Sequence, residues 1–558
     1  MRTFFAAAEP PEEEAMELPP VDERGLAECP LATPGVRIDP VAAQTFVFPA
    51  QTEQRAYQLA IVRTCLFHNT LVCLPTGLGK TLIAAVVMRN FSRWFPQNLI
   101  VFLAPTKPLV QQQAKACVQI AGIPETDMAV LMGTSQKGVD GTRAKAWSSH
   151  RAVFATPQTF DNDLKCGVLD PKSVVCLVVD EAHRATGSFA YVTAVKYLHE
   201  AGVRFRLVAL TATPGATRDA IQKVVTALHI GAVEWRAEDD PEVLPFTHAR
   251  TVDVRAIAPS LAQRDTFALL TAGFKPMLNE LQSMGVVHHS PSEADGGDAT
   301  LMASPYTFIT ARHKLSSQAE LAARLGPGRV GRAHHLLNQA QSLARGLELL
   351  TTVGLRECLD YLQVSKTDTS NPNSAPLQEA FRVMRAAAAA GGAANAPKME
   401  ALTAILRQYF GRAREGGART RVIVFTSSRD SVNHILLEFA ALEENVGVRA
   451  RAFIGQGDSS SRVQRGDKTK GQTQAEQQAV LAAFREGIDV NVLVATCIGE
   501  EGLDVPQVDL VVFMDAVGGV RLVQRMGRTG RSRDGAVIAL LAEGKEYQAW
   551  FSKQQMSA

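Results

Sequence analysis

Leu71-Val-Cys-Leu-Pro-Thr-Gly-Leu-Gly-Lys80-Thr81, running on into apolar, helix-like sequence as far as Phe95, is the stretch that decides the fold. A short branched run, a glycine turn and a Lys-Thr pair opening a helix form the layout of a phosphate-binding loop. In such a loop, backbone N–H groups and the positive helix end meet the phosphates. Lys80 reaches the β/γ oxygens, and the Thr81 hydroxyl can ligate magnesium. Position 74 is Leu, so the strict G-x-x-x-x-G-K-[ST] spacing is not met. Pro75-Thr76-Gly77-Leu78-Gly79-Lys80-Thr81 is a variant loop. Its strand must be buried on both faces, as in a parallel sheet covered by helices.

Working outward, further short apolar runs at 99–104, 174–179 and 207–210 alternate with helical stretches. That alternation predicts a parallel sheet with helices on both sides. The pattern returns at 422–425, 492–495, 510–514 and 536–541. Between them, strands are not expected from 251 to 400. Leu336, Ala340, Leu343, Leu347 and Leu350 step by three and four, and Leu355, Leu359 and Leu362 resume the spacing after Gly354. Loops are expected at 290–300, 365–375 and 386–396. The fold class is therefore α/β: two parallel-sheet domains with an all-α insertion between them. The expected divisions are an acidic disordered tail over 1–42, a first sheet domain over 43–250 and a helical insertion over 251–410. A second sheet domain follows over 411–545, with a tail over 546–558.

The length of 558 residues suits about three to four domains. With 46% apolar, 20% charged and 6% aromatic residues, the chain is globular, not disordered, collagen-like or coiled-coil. Lys plus Arg number 58 and Asp plus Glu 56, which excludes a histone-like binder but not a local basic groove. The eight cysteines contain no C-x-x-C pair, so neither a disulfide framework nor a zinc or iron–sulfur cluster is expected. No apolar run approaches the roughly 18 residues of a membrane span. The opening apolar run is too short for a secretory leader, so a soluble protein of a reducing compartment is expected.

A hundred residues past the loop, the run 174–179 ends in Asp180-Glu181-Ala182-His183. An acidic pair at the carboxyl end of a buried strand is where nucleotide-bound magnesium needs a partner. Asp180 would hold the metal, Glu181 would take the proton of the attacking water, and His183 could couple the site to the second domain. Alone, the pair also suits a helix N-terminus. Thr211-Ala-Thr-Pro214 could bridge the acidic site to a neighbouring domain, or simply cap a turn. In the second unit, Gln524-Arg-Met-Gly-Arg528-Thr-Gly-Arg531 sets three arginines among glycines. Arg528 and Arg531 could act as arginine fingers on a γ-phosphate. Upstream, Thr496 could donate to a phosphate, while Gly502 and Asp504 could approach the nucleotide.

In order and spacing these blocks resemble the motor core of superfamily-2 helicases of the DEAH type, over about residues 45–545. Ala104-Pro-Thr-Lys107 and Ala155-Thr-Pro-Gln158 resemble the family's motifs Ia and Ic. The 422–430 block resembles motif IV, and Arg55-x-Tyr57-Gln58 sits where these proteins place an adenine-reading glutamine. The phosphate loop with its continuation to Pro96, the block 495–504 and the block 523–531 narrow the resemblance to the Hef and Fanconi-anaemia group M (FANCM) family. The helical insertion between two motor domains points the same way.

The resemblance implies two RecA-like domains, ATP and Mg2+ as cofactors, and a nuclear DNA-repair helicase or translocase. It also implies forked, four-way-junction, single-stranded and duplex DNA as partners. The carboxyl-terminal nuclease-like region of many members is not expected here. Thr106, Lys107, Thr156, Thr426 and Thr496 are the candidate phosphate contacts, which would position a strand without reading its sequence. Within 310–335, Arg312, Lys314, Arg324, Arg329 and Arg332 face a single acidic residue, Glu320. Arg324, Arg329 and Arg332 are candidates for a DNA clamp, or else a solvated helix face. A duplex-RNA-dependent ATPase and a junction-binding scaffold with a vestigial ATPase are the alternative functions.

Overall fold

Residue runs with no polar interruption become strands sealed between helices, and two sheets result. The computed structural model describes residues 5–8, 20–50, 53–133, 142–213, 215, 217–247, 250–287, 304–365, 367, 374–390, 396–416, 420–455, 471–496, 506–516 and 535–555. Four short strands come first: β1 (Phe5–Ala8), β2 (Ala27–Glu28), β3 (Arg37–Ile38) and β4 (Phe46–Pro49). They pair antiparallel, β1 with β4 and β2 with β3.

The first large sheet holds β5 (Thr70–Cys73), β6 (Leu99–Leu103), β7 (Met128–Leu131), β8 (Ala152–Ala155), β9 (Val174–Val179), β10 (Arg206–Thr211) and β11 (Ala232–Trp235). Its order is β11-β5-β10-β9-β6-β8-β7, and every pairing is parallel. Every residue of β5, β6, β8 and β9 is buried, which is why these strands read as continuous apolar runs. The second sheet holds β12 (Arg250–Ile257), β13 (Val422–Phe425), β14 (Ala450–Phe453), β15 (Val492–Ala495), β16 (Leu510–Phe513) and β17 (Gly535–Ala542). It is again all parallel, in the order β12-β17-β16-β13-β15-β14.

Helices from Leu261–Ser283 to Pro397–Gly416 form the insertion. The stripe Leu336, Ala340, Leu343, Leu347 and Leu350 is buried on the helix Pro327–Thr352, and Leu355, Leu359 and Leu362 on Leu355–Val364. The two helices meet where Gly346 leaves room; a Cβ there would stand 2.8 Å from Leu362 Cδ2. The insertion shares one hydrophobic core with a face of the second sheet, from Leu270 through Leu343 to Val424 and Leu540.

Four expectations need correction. Residues 20–42 are not a disordered tail. Val36 and Ala32 pack in the core of the first domain, and Asp39 N donates to Trp94 O at 2.8 Å. Just after them, buried Asn90 exchanges two hydrogen bonds with Val47, at 2.7 and 2.9 Å. These anchors are too sparse to give a periodicity. Second, residues 250–257 are a strand of the second sheet, not the start of the insertion. As an edge strand β12 keeps Thr251, Asp253 and Arg255 exposed, so it shows no apolar run. Third, the helix Ala375–Ala390 occupies part of the expected loops, consistent with the helix propensity of its alanines. Fourth, 546–555 is not a tail. The helix Lys545–Gln555 buries Trp550 completely, its ring 5.7 Å from that of Phe513. The expected loop at 290–300 lies outside the described residues. Among the described residues no helix is long and apolar enough to cross a membrane, and the seven of the eight cysteines that lie among them form no disulfide.

Candidate nucleotide and nucleic-acid site

Parallel strands deliver their carboxyl ends to one edge of a sheet, where ligands of open α/β sheets bind. In the first sheet β10 runs between β5 and β9, with Thr211 opposite Cys73 and Ala209 opposite Val179. This register sets the phosphate loop, Thr211–Thr213 and the Asp-Glu-Ala-His box side by side.

The loop turns through Gly77 and Gly79, at φ 88° and 93°, a region that favours glycine. A Cβ on Gly79 would also press on the Gln58 side-chain amide and displace it from Leu78 O. Gln58 is buried and donates to Leu78 O at 3.0 Å, and Tyr57 donates to the same oxygen at 2.8 Å. Lys80 Nζ donates to Leu74 O at 2.7 Å and Pro75 O at 3.1 Å, closing the loop with Thr76 inside it.

One glutamine joins the two halves of the site. Thr81 Oγ1 donates to Gln113 Oε1 at 3.0 Å, and Gln113 Nε2 donates to Asp180 Oδ2 at 3.1 Å. Sequence reasoning missed Gln113. Its signal was available: it is the sole polar residue on the buried stripe Leu109, Val110, Ala114, Cys117 and Ala121 of the helix Lys107–Ala121.

Asp180 is 5% exposed. Burial, reinforced by the charge of Glu181 and opposed by Lys80, pushes its carboxyl up to about 7. Glu181 N donates to Asp180 Oδ1 at 2.9 Å, and buried Tyr191, also missed, donates its hydroxyl to Asp180 O at 2.6 Å. Thr81 and Asp180 could hold a magnesium ion. A desolvated carboxylate beside a second carboxylate is stabilised by a divalent cation, and a hydroxyl lies one side chain away. When bound, the ion would neutralise phosphate charge.

Glu181 adopts φ 51°, a left-handed conformation uncommon for a non-glycine residue. Its Oε2 is buried and makes no hydrogen bond, with His183 Nδ1 3.3 Å away. Burial holds His183 below the ordinary histidine range despite the pull of Glu181. Thr211 donates its own proton to Thr213 O at 2.7 Å, so the 3.2 Å contact with Thr211 Oγ1 assigns the imidazole proton to His183 Nδ1. The acidic box is thereby tied to the turn after β10.

The threonines share one placement. Thr106, Thr156, Thr426 and Thr496 each follow the carboxyl end of a strand, β6, β8, β13 and β15. Lys107 opens the helix after Thr106. Thr156 Oγ1 bonds Thr159 Oγ1 at 2.8 Å. The hydroxyls of Thr106, Thr426 and Thr496 are buried with no hydrogen-bond partner. Thr426 N donates to Ala495 O at 3.0 Å, which holds the ends of β13 and β15 together. Gly502, Asp504, Gln524, Arg528 and Arg531 lie outside the described residues.

In the insertion, Arg324 and Arg329 are exposed. Arg332 is not the unpaired cation that the charge count implies: Nε and Nη2 grip the two oxygens of Glu280 at 2.8 and 2.9 Å. Arg332 in turn holds the Glu280 carboxyl below its usual range. The insertion is tied to the second sheet through Arg345, which pairs with Asp430 at 3.2 Å. Asp515 adds a second tie, accepting from Thr352 Oγ1 at 2.9 Å and Ser427 N at 2.5 Å.

Two parallel-sheet domains, one with a phosphate loop facing an Asp-Glu-Ala-His box, define the motor core of a superfamily-2 helicase. Residues 51–216 match the family model "Type III restriction enzyme, res subunit", and residues 397–533 match "Helicase conserved C-terminal domain". The chain is 38% identical over 529 residues to "ATP-dependent DNA helicase MPH1" of Pyricularia oryzae, covering 91% of this chain and 45% of that one. It is 36% identical over 549 residues to "Fanconi anemia group M protein homolog" of Mus musculus, covering 92% and 26%. The crystal structure of the Pyrococcus furiosus Hef helicase domain superposes with a TM-score of 0.63 at 29% identity, covering 90% of this chain and 98% of that one. The chain belongs to the Hef and FANCM family of superfamily-2 helicases. It spans less than half the length of the two curated relatives.

Proposed function

We propose that the chain is an ATP-driven motor that moves along branched DNA, such as forks and four-way junctions, in nuclear DNA repair. The observation that carries this reading is the trio Thr106, Thr426 and Thr496. They stand at the carboxyl ends of strands of both sheets, where the phosphates of one nucleic-acid strand crossing both domains would pass. Thr156 and Lys107 extend that row, and such contacts hold a strand irrespective of sequence.

In this reading Pro75 to Thr81 cradle the ATP phosphates, with Gly77, Leu78 and Gly79 supplying backbone N–H groups. Gln58 and Arg55 meet the base. Thr81 and Asp180 hold Mg2+, and Glu181 takes the proton of the attacking water. Gln524, Arg528 and Arg531 act on the γ-phosphate, and Gly502 and Asp504 take part in nucleotide binding. Thr211 and His183 relay the state of the acidic box. Arg324 and Arg329 extend the grip to a duplex arm. The printed name of the Pyricularia oryzae relative, a DNA helicase, supports DNA as the track.

The test is the ATPase rate on forked DNA, four-way junction, single strand, linear duplex and duplex RNA. Strongest stimulation by branched DNA is expected. Equal or stronger stimulation by duplex RNA would replace DNA as the track. No turnover with a fork bound would favour a scaffold with a vestigial ATPase.

A further inference from the structure

Between β11 and β12 the chain crosses from the first sheet to the second, and the crossing is anchored. Arg236 N donates to Cys73 O at 3.1 Å, at the foot of the phosphate loop. Its guanidinium pairs with Glu234 at 3.3 Å and Glu242 at 2.8 Å. Val243 is fully buried in the core that also holds Leu78 and Ile83. The short turn Leu244–Phe246 then lays the Phe246 ring 4.2 Å from Arg55 Cζ and 6.0 Å from the Tyr57 ring. β12 begins at Arg250.

A guanidinium is flat, with two faces and an edge of donors. Phe246 takes one face of Arg55, and Arg55 Nη1 donates to Tyr57 Oη at 3.3 Å along the edge. A cation held by an edge and one face can offer its other face to a second flat partner. Tyr57 and Gln58, which follow Arg55 closely in the chain, are themselves tied to Leu78 O in the phosphate loop. We propose that Phe246 is a positioning residue for base recognition: it fixes Arg55 as the stacking platform of the nucleotide's purine ring. Because Phe246 belongs to the connector, the platform is built partly from the segment that leads into the second sheet. This inference rests on the reading of Arg55 and Gln58 as the base site.

The test compares wild type, Phe246→Tyr, Phe246→Leu, Arg55→Ala and the double variant Arg55→Ala/Phe246→Leu. KM and kcat are measured for ATP and UTP with saturating fork. Leucine keeps apolar bulk but removes the π-face. Phe246→Leu is expected to raise KM for ATP by about 2- to 30-fold, the range of a cation–π interaction. It should leave kcat and the KM for UTP nearly unchanged, and Phe246→Tyr should retain the ATP preference. The double variant should match Arg55→Ala alone. A Phe246→Leu protein with undiminished ATP preference, or one that loses ATP and UTP equally, overturns the inference while leaving the base site standing. A wild type that does not distinguish ATP from UTP overturns the base-site reading and the inference with it.

Discussion

Gln113 joins Thr81 to Asp180: its oxygen accepts from the threonine hydroxyl at 3.0 Å, and its nitrogen donates to the carboxylate at 3.1 Å. One buried amide thus bridges the two groups best placed to hold a metal. The helix carrying it starts at Lys107, beside Thr106, so a strand bound at that end and a metal held beside Gln113, under two turns further on, would share one helix. Gln113→Leu is expected to raise the Mg2+ concentration for half-maximal ATPase by about 10- to 100-fold, as when an outer partner of a metal ligand is removed. An Mg2+ titration at saturating ATP and fork reads this; a curve identical to wild type would remove Gln113 from the site.

Lys80 and Glu181 separate binding from chemistry. Lys80→Ala removes the cation from the loop and its bonds to Leu74 O and Pro75 O, so nucleotide affinity should fall. Glu181→Gln keeps the shape and loses the base. It should bind ATP normally while hydrolysis falls by about 10²–10⁴, the usual worth of a general base. Equilibrium binding of a fluorescent ATP analogue beside turnover distinguishes them. Normal turnover in Glu181→Gln would reassign the base.

Arg528 and Arg531 are expected to act on the reaction rather than on binding. Each change to Ala should leave ATP affinity nearly unaltered and lower fork-stimulated hydrolysis by about 10³–10⁵ if that residue is the finger. Single-turnover rates give the answer; normal rates in both variants place the fingers elsewhere.

The Glu280–Arg332 pair sorts the basic residues of the insertion. Changing Arg324 and Arg329 to Ala should weaken fork binding and flatten its log–log salt dependence by about 0.9 for each phosphate no longer neutralised. Arg332→Ala alone should do little while Glu280 occupies it. Glu280→Gln should steepen the slope by loosening Arg332. Because Arg332 lowers the Glu280 pKa, the pair persists at neutral pH and dissolves only as pH falls through that lowered value. Fork affinity at several salt concentrations checks all three; superimposable lines would mean that the insertion does not grip DNA there.

Trp550 tests whether the last helix belongs to the second domain. Trp550→Ala should cost about 3–5 kcal/mol, as for other large-to-small core changes. The loss should appear as a lower unfolding midpoint of that domain, with ATP binding at the first sheet retained. An unchanged midpoint would detach the helix from the core.

The sequence by itself determined the strands sealed on both faces, the phosphate loop and the acidic box, because each is written in consecutive residues. β5 and β9 read directly from unbroken apolar runs, and Gly77 and Gly79 from the turn they must make. Tertiary structure alone decided what depends on distant partners. β12 is a strand because β17 pairs with it over eight residues, although its own face is half polar. Residues 20–49 are ordered because Asn90 and Trp94 of a later helix receive them. Arg332 lost its availability to Glu280, 52 positions earlier, and Gln113 gained its place from Thr81 and Asp180, 32 and 67 positions away. Local pattern records which residues avoid water. Which polar groups then meet inside is set by packing, and packing is settled only when the whole chain has closed around them.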